Sequence, residues 1–144
     1  YENSYQGVNS RLDEMQAAFL SVKLKNLNVE INARRQVATA YLDGINNPNI
    51  HLPEWKIDEQ HVFHLFVIRT AERERLQTYL RDNGVQSLIH YPVAPHHQKA
   101  YEVWGKLCFP ITEKIHEQVL SLPLSPVIDS AELQVVIEII NRYS

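Results

Sequence analysis

Two groups of polar residues have the types and spacing to bind a ligand, and the first lies near the amino terminus. Asn9 and Arg11 stand in the run GVNSRLDEMQAAFL, beside the start of a predicted helix. An asparagine amide donates two hydrogen bonds, arginine is a fixed cation, and helix N-termini favour anions. This group therefore predicts a site for an anionic ligand.

The second group lies in the run HYPVAPHHQKAY, residues 90–101. A strand predicted to end at Pro92 brings His90 and Tyr91 into a proline-containing loop, which continues to His96 and His97. Imidazole and phenol groups on a loop carried by a rigid scaffold are typical of a ligand-binding wall. The alternative is a surface loop that merely tolerates polar residues, and the spacing alone leaves both open.

The histidine spacing argues against a metal site. Residues three apart on a strand, such as His61 and His64, point to opposite faces. Neither that pair nor the group of His90, His96 and His97 has a cysteine or carboxylate placed to complete a tetrahedral site. A nucleophile-elbow motif and a glycine-rich phosphate loop are also absent from the sequence. We therefore predict no metal site and no catalysis by this chain alone.

Composition limits the class of protein further. The 144 residues fit one domain, and a net charge of −3 without blocks of like charge disfavours a nucleic-acid binder. No apolar stretch approaches the roughly 18 residues that predict a membrane span, so we expect a soluble protein. Cys108 is the single cysteine and is predicted to be a small buried hydrophobe in a reducing, intracellular protein. A start at Tyr1 without methionine suggests a fragment.

A long helix is predicted first. Apolar residues recur at helical spacing over 12–41 without proline or glycine, which favours one continuous helix. The alternative is a break near Asn26 to Asn32. Ser10 and Asp13 match the capping-box signature, so Ser10 is the predicted N-cap.

The remaining pattern predicts strands at 61–69 and 84–92 on either side of a helix. Thr70 is a possible N-cap of that helix, and Gly84 ends it. A helix from Pro110, a short strand in VLSLPL and a final helix framed by Asp129 and Glu132 follow. This order is typical of an α/β sandwich with helices against a small sheet. The strand order stays open, and one option inserts the third strand between the first two.

Several segments together carry a resemblance to a known family. They are GVNSRLDEMQAAFL, RRQVATAYLDGI, HVFHLFVIR, LRDNGVQSLIHYPVAPHHQKAY and FPITEKIHEQVLSLPLSP. In this order they resemble the C-terminal part of the DegT/DnrJ family of pyridoxal-phosphate-dependent nucleotide-sugar aminotransferases. The resemblance implies an α/β (α+β) fold, with a long N-terminal helix followed by a small mixed or antiparallel sheet covered by helices, as in the small domain of fold type I aminotransferases.

The resemblance also implies a domain organisation. Residues 1–144 would be a single C-terminal domain, and residues 1–10 would reach the dimer interface and the cofactor site. The large domain, with the Schiff-base lysine that holds pyridoxal 5'-phosphate, would lie upstream of Tyr1. None of the six lysines of this chain stands in the matching context, so the fragment alone is predicted to be inactive.

The implied activity belongs to the full-length protein. It would be a cytoplasmic homodimer that transfers an amino group from glutamate to a keto sugar on a nucleotide, for polysaccharide, including lipopolysaccharide, or antibiotic sugar synthesis. The alternative is a stand-alone α/β binding or regulatory module without catalysis. The reading frame upstream of Tyr1 would distinguish the two.

The resemblance assigns roles to the two polar groups. Asn9 would donate to the phosphate of pyridoxal phosphate in the partner subunit's site. Arg11 would either support that anionic site or pair with Asp13 or Glu14. His90, Tyr91 and one of the pair His96 and His97 would lie near the nucleotide-sugar substrate.

Overall fold

The computed structural model describes residues 1–10, 12–54 and 61–144. The helices are α1 (Glu14–Leu24), α2 (Leu27–Gly44), α3 (Arg73–Asp82), α4 (Pro110–Gln118) and α5 (Ser130–Arg142), and the strands are β1 (Phe66–Arg69) and β2 (Val119–Leu122). Two 3₁₀ segments, Pro95–His97 and Lys99–Trp104, precede α4. Helices thus pack on a small antiparallel sheet, which confirms the predicted fold class.

Strand β2 occupies the centre of this sheet. It pairs antiparallel with β1, and Phe66 lies opposite Leu122. On the other edge of β2, Leu88 forms an antiparallel bridge with Ser121, and His51 bridges the outer edge of β1. The third predicted strand therefore lies between the first two regions, which is the split arrangement that the sequence left open.

The predicted strand lengths are wrong. Only residues 66–69 of the predicted strand 61–69 are extended and paired, and the predicted strand 84–92 contributes a single bridge at Leu88. The reason is the partner: β2 has only four residues, so its edges offer few backbone groups to pair.

The predicted continuous helix over 12–41 is wrong, and the alternative with a break is confirmed. Asn26 leaves the helical conformation, with φ −104° and ψ 0°. Its N–H donates to the Lys23 carbonyl at 3.0 Å, three residues back instead of four, before Glu30 donates to Asn26 and resumes the helix. Asparagine favours such breaks because its side chain competes with the backbone for local hydrogen bonds.

Helix α1 begins later than predicted. Asp13, not Ser10, is its N-cap, and the Asp13 carboxylate accepts the Gln16 N–H at 2.7 Å. Aspartate caps at least as well as serine, so the carboxylate takes this role at the later position. No residue of α1 is buried, and apolar side chains such as Met15 and Phe19 are exposed.

The core lies where α2, α3 and α5 cover the sheet. Tyr41, Phe66, Leu76, Leu120 and Ile140 are completely buried there. The Tyr41 and Phe66 rings lie 4.9 Å apart, and the Tyr41 hydroxyl donates to the carbonyl of Pro123 at 2.7 Å. Burial raises the pKa of Tyr41 well above its usual value. The Tyr41 hydroxyl is thus kept neutral and hydrogen-bonded within the core.

The ends of α3 and the location of Cys108 agree only in part with the local predictions. Gly84 ends α3 with a positive φ of 81°, as predicted, and Val85 N–H returns to the Leu80 carbonyl at 2.8 Å. Thr70 is buried and does not cap α3, because Glu72 holds the N-cap position.

Cys108 is exposed, against prediction, because it follows the turn after the second 3₁₀ segment and faces no core element. None of the described helices is long and apolar enough to span a membrane.

Helix α5 has the predicted capping box, which generates a stability prediction. The Asp129 carboxylate accepts the Ala131 N–H at 2.8 Å, and Glu132 reaches back to the Asp129 N–H. Because α5 buries five apolar residues, loosening its first turn disturbs the core. Asp129→Ala should lower the free energy of unfolding by about 1 kcal/mol in urea titrations.

Asp129→Asn is the matched control, since its amide oxygen still accepts the backbone N–H. We expect it to retain most of the wild-type stability. Equal stability of the alanine variant and the wild type would show that the cap does not limit α5.

Candidate functional site

The candidate site forms where two segments meet: the N-terminal arm (residues 1–10) and the histidine loop (residues 90–104). The Ala100 N–H donates to the Asn3 carbonyl at 2.9 Å. The Gln6 side-chain amide donates to the Ala100 carbonyl at 3.0 Å. The first six residues of the arm are therefore held along the loop, although about 95 positions separate them in the sequence.

Gln98 connects the same two segments from inside. Its side chain is buried, and its Oε1 accepts the Asn3 N–H at 2.8 Å. Its Nε2 donates to the carbonyls of Tyr1 at 3.1 Å and Val93 at 3.5 Å. Sequence reasoning missed Gln98, because a lone glutamine in a loop carries no signal of its distant partners.

The beginning of the histidine loop is anchored on strand β2. The Ser121 N–H donates to the Leu88 carbonyl at 2.7 Å, and the Ser121 hydroxyl is hydrogen-bonded to His90 Nδ1 at 2.9 Å. One residue later, the Tyr91 carbonyl lies 2.6 Å from His116 Nδ1 on α4. A carbonyl can only accept, so His116 carries its proton on Nδ1 and leaves Nε2 as an acceptor in the neutral ring.

A cavity of about 360 Å³ opens between the arm and the loop. It is lined by Tyr1, Asn3, Tyr91, Val93, Pro95, Gln98, Tyr101 and His116. The Tyr1 and Tyr91 rings meet edge to face with centroids 5.3 Å apart. Aromatic walls with a few hydroxyl, amide and imidazole groups suit a ligand that has both ring faces and polar substituents.

The structure separates the two adjacent histidines. His96 is buried, with Nε2 3.0 Å from the Glu113 carboxylate and its ring against the edge of Phe109. His97 is exposed. His96 therefore anchors the loop internally, and His97 is the member of the pair that an external ligand can reach.

Glu113 is the second residue that sequence reasoning missed. Its carboxylate accepts the Phe109 N–H at 2.8 Å and is also hydrogen-bonded to His96 Nε2. These two hydrogen bonds hold the pKa of Glu113 below its usual value. The sequence argument that no carboxylate accompanies the two histidines is wrong, because ligand atoms of His96, His97 and Glu113 all lie within 4.8 Å of one another. We interpret the group as a hydrogen-bonded anchor, since the contacts of Glu113 and His96 account for its geometry.

Asn9 extends from the arm into solvent. It is exposed and makes no side-chain hydrogen bond to the residues that the structure describes. Asn9 lies three residues beyond Gln6, whose side chain is bonded to the loop. At most about 10 Å of extended chain therefore separates Asn9 from that residue. Its amide is thus available to a ligand, whereas Arg11, its predicted companion, lies outside the described residues.

His61 and His64 are not part of this group. His61 Nδ1 accepts the Phe63 N–H at 3.0 Å, and the two rings are 4.0 Å apart. His61 thus packs against its neighbour Phe63. His64 instead lines a separate cavity of about 290 Å³, which His90 also lines.

Comparisons with known proteins agree on one family. A model of the DegT/DnrJ/EryC1/StrS aminotransferase family matches residues 1–141. The chain is 54% identical over 143 residues to a dTDP-3-amino-3,6-dideoxy-alpha-D-galactopyranose transaminase from Aneurinibacillus thermoaerophilus. That alignment covers 99% of this chain and 39% of the relative, so the chain spans well under half of that protein.

Two solved structures have a similar fold and more than 30% sequence identity to this chain. The Streptomyces venezuelae protein DesV, in complex with a ketimine intermediate, has a TM-score of 0.83 and 38% identity, over 98% of this chain and 39% of that one. NtdA from Bacillus subtilis, with the bound cofactor PMP, has a TM-score of 0.80 and 34% identity, over 93% and 33% of the two chains.

The Glu113 anchor generates a pH prediction. Its folded pKa is below the ordinary value of 4.5, so its charge stabilises the fold above pH 4.5, and this contribution is lost as the pH falls through the folded pKa. Glu113→Gln keeps an acceptor for the Phe109 N–H but removes the charge. The melting temperature of the wild type should exceed that of the variant at pH 7, and the difference should shrink below pH 4.5.

Glu117→Gln is the control, because Glu117 is exposed on the same helix. Its difference from the wild type should change little over this range. An equal pH dependence for the two variants would contradict the anchoring role of Glu113.

Proposed function

Because the chain belongs to the DegT/DnrJ/EryC1/StrS aminotransferase family, we propose that it is the C-terminal small domain of an enzyme that aminates a nucleotide-linked keto sugar. The observation that carries this proposal is the junction of the N-terminal arm and the histidine loop around one aromatic cavity. The 54% identity to a transaminase of a dTDP-linked amino sugar supports the substrate class. The first substrate to test is therefore a dTDP-linked 3-keto-6-deoxyhexose, with glutamate as amino donor.

The proposed cofactor is pyridoxal 5'-phosphate, which when bound supplies the chemistry that carries the amino group. The exposed Asn9 amide fits the cofactor's phosphate, because it offers two N–H donors to a group that only accepts. We assign Asn9 to the phosphate in the partner subunit's site, with Arg11 as a second candidate for the same anion. The covalent lysine belongs to the proposed large domain upstream.

Helix α1 supports a homodimer and a large domain. Its Met15, Phe19 and Val22 side chains are exposed by 71%, 66% and 65%. Contiguous exposed apolar surface marks a protein contact. The proposal assigns this surface to the large domain and the partner subunit, and the large domain would account for the length that the relatives have beyond this chain.

The histidine loop is assigned to the substrate. The Tyr91 hydroxyl and the His97 imidazole are exposed and would bond to the sugar or its phosphates. His90, fixed by Ser121, would hold the Tyr91 backbone in place, and His96 would hold the loop through Glu113. A cytoplasmic location and a role in polysaccharide synthesis stay predictions.

The substrate assignment predicts a kinetic change. In the full-length enzyme, Tyr91→Phe should raise the KM for the nucleotide sugar by about 3- to 10-fold, since one neutral hydrogen bond is lost, with the cofactor spectrum unchanged. His97→Ala should act in the same direction. Tyr79→Phe is the matched control, because the Tyr79 hydroxyl is already bonded within the protein, to the Ile139 carbonyl of α5. Normal kinetics for both loop variants would leave the loop as an ordinary surface loop.

The cofactor assignment predicts a change in affinity. Asn9→Ala in the full-length enzyme should weaken pyridoxal phosphate binding by about 10- to 100-fold, because a hydrogen bond to a charged group is lost. The protein's stability should barely change, since Asp13 caps α1. Ser10→Ala, one residue away, should leave both affinity and stability near the wild type.

A mixed dimer tests which site Asn9 serves. One subunit carries Asn9→Ala with the covalent lysine intact, and the other lacks that lysine but keeps Asn9. The site that combines the intact lysine with the partner's Asn9 should recover activity per intact lysine. Activity no better than that of the Asn9→Ala homodimer would mean that Asn9 serves its own subunit or no site.

A further inference from the structure

Gln98 is a buried polar side chain to which the proposed function gives no role. It lies on the histidine loop, is 8% exposed, and hydrogen-bonds to both the arm and the loop. We propose that Gln98 is a positioning residue that joins the N-terminal arm to the histidine loop, so that one side chain sets both the substrate cavity and the location of Asn9. This inference rests on the proposed function.

The first argument is the cost of separating the two segments. The Gln98 amide has one acceptor oxygen and two donor hydrogens, and its partners are Asn3 N–H, Tyr1 C=O and Val93 C=O. If the arm moved away, the oxygen and one N–H would lose those partners, and water would have to enter the site to replace them. Buried polar groups left unpaired are costly, so the amide favours the docked arm.

The second argument is what else holds the arm. The bonds of Ala100 N–H to Asn3 and of Gln6 to Ala100 continue the line of contact that Gln98 begins. Between Gln6 and Asp13, the described residues make no hydrogen bond to the remainder of the chain, and α1 beyond them has no buried residue. The docked residues 1–6 are therefore the main constraint within this chain on where Asn9 lies.

The third argument concerns the cavity. The carbonyl of Tyr1 is held by Gln98, and the Tyr1 ring lines the cavity in edge-to-face contact with Tyr91. Gln98 itself lines the cavity beside them. Moving the arm would therefore open one side of the proposed substrate cavity. Loss of Gln98 should consequently affect the substrate and the cofactor together, which a defect confined to loop stability would not do.

The experiment uses the full-length enzyme and the variant Gln98→Met, which keeps the length of the side chain but removes its hydrogen bonds. We expect the KM for the nucleotide sugar and the Kd for pyridoxal phosphate each to rise by about 3- to 10-fold. Gln77→Met is the matched control: Gln77 is half-buried on α3 and donates to the Ser87 carbonyl at 3.3 Å. It should change the melting temperature without changing KM or Kd.

A second variant acts from the other side of the contact. Asn3→Pro removes the backbone N–H that Gln98 accepts, at an exposed position where folding is not at risk. It should raise KM and Kd in the same direction. Because both variants break one contact, their effects in the double variant should be less than additive. If Gln98→Met does not fold, the Asn3→Pro result decides alone.

The outcomes separate this inference from the function on which it rests. If Asn9→Ala weakens cofactor binding but Gln98→Met and Asn3→Pro leave both KM and Kd unchanged, the positioning role is overturned and the proposed function stands. If Asn9→Ala leaves cofactor binding unchanged, the assignment of Asn9 fails and the coupling fails with it. Coupled rises in KM and Kd with normal kinetics for Gln77→Met support the proposal.

Discussion

Strand β2 is buried over all four of its residues, and buried backbone groups need partners. Its two edges must therefore both be paired. Strand β1 satisfies one edge, and the short extended segment at Leu88 satisfies the other through reciprocal bonds with Ser121. The chain leaves the core directly after that bridge, so the histidine loop begins from a fixed point in the sheet.

The histidine loop is irregular, yet it is held on two sides. Helix α4 holds one side through Glu113 and His116, which contact His96 and the Tyr91 carbonyl. The N-terminal arm holds the other side through Gln98. A loop can present side chains to a ligand reproducibly when rigid elements fix its backbone in this way. The polar residues buried under the loop are thus part of how the exposed ones are presented.

Helices α1 and α5 show that one pattern can have two outcomes. Both carry apolar residues at helical spacing, but α5 buries five residues against the sheet and α1 buries none. The difference lies in what each helix can reach. Helix α5 follows β2 after a short connection and folds back on the core. Helix α1 lies before the break at Asn26 and buries no residue in the core. The surface of α1 accordingly suits a partner from outside this chain.

Elements whose signals are local were determined by the sequence itself. The capping box of α5, the glycine that ends α3 and the proline that begins α4 each depend on residues a few positions apart, and all three were predicted correctly. The family was also recognisable from the order of its motifs. In the site, the choice of His90, Tyr91, His96 and His97 came from residue type and spacing, and their roles as ligand contacts stay predictions.

The tertiary structure decided which of these residues face inwards. Glu113 lies 17 positions from His96, and Gln98 lies 95 positions from Asn3, so no local pattern could indicate either contact. The same limit explains the strand 84–92, whose length depended on the four residues that β2 offers for pairing, and Cys108, whose apolar neighbours found no core to join. Helix caps and turns depend on residues a few positions apart. Burial and strand pairing depend on which distant segments of the chain pack together in the folded protein.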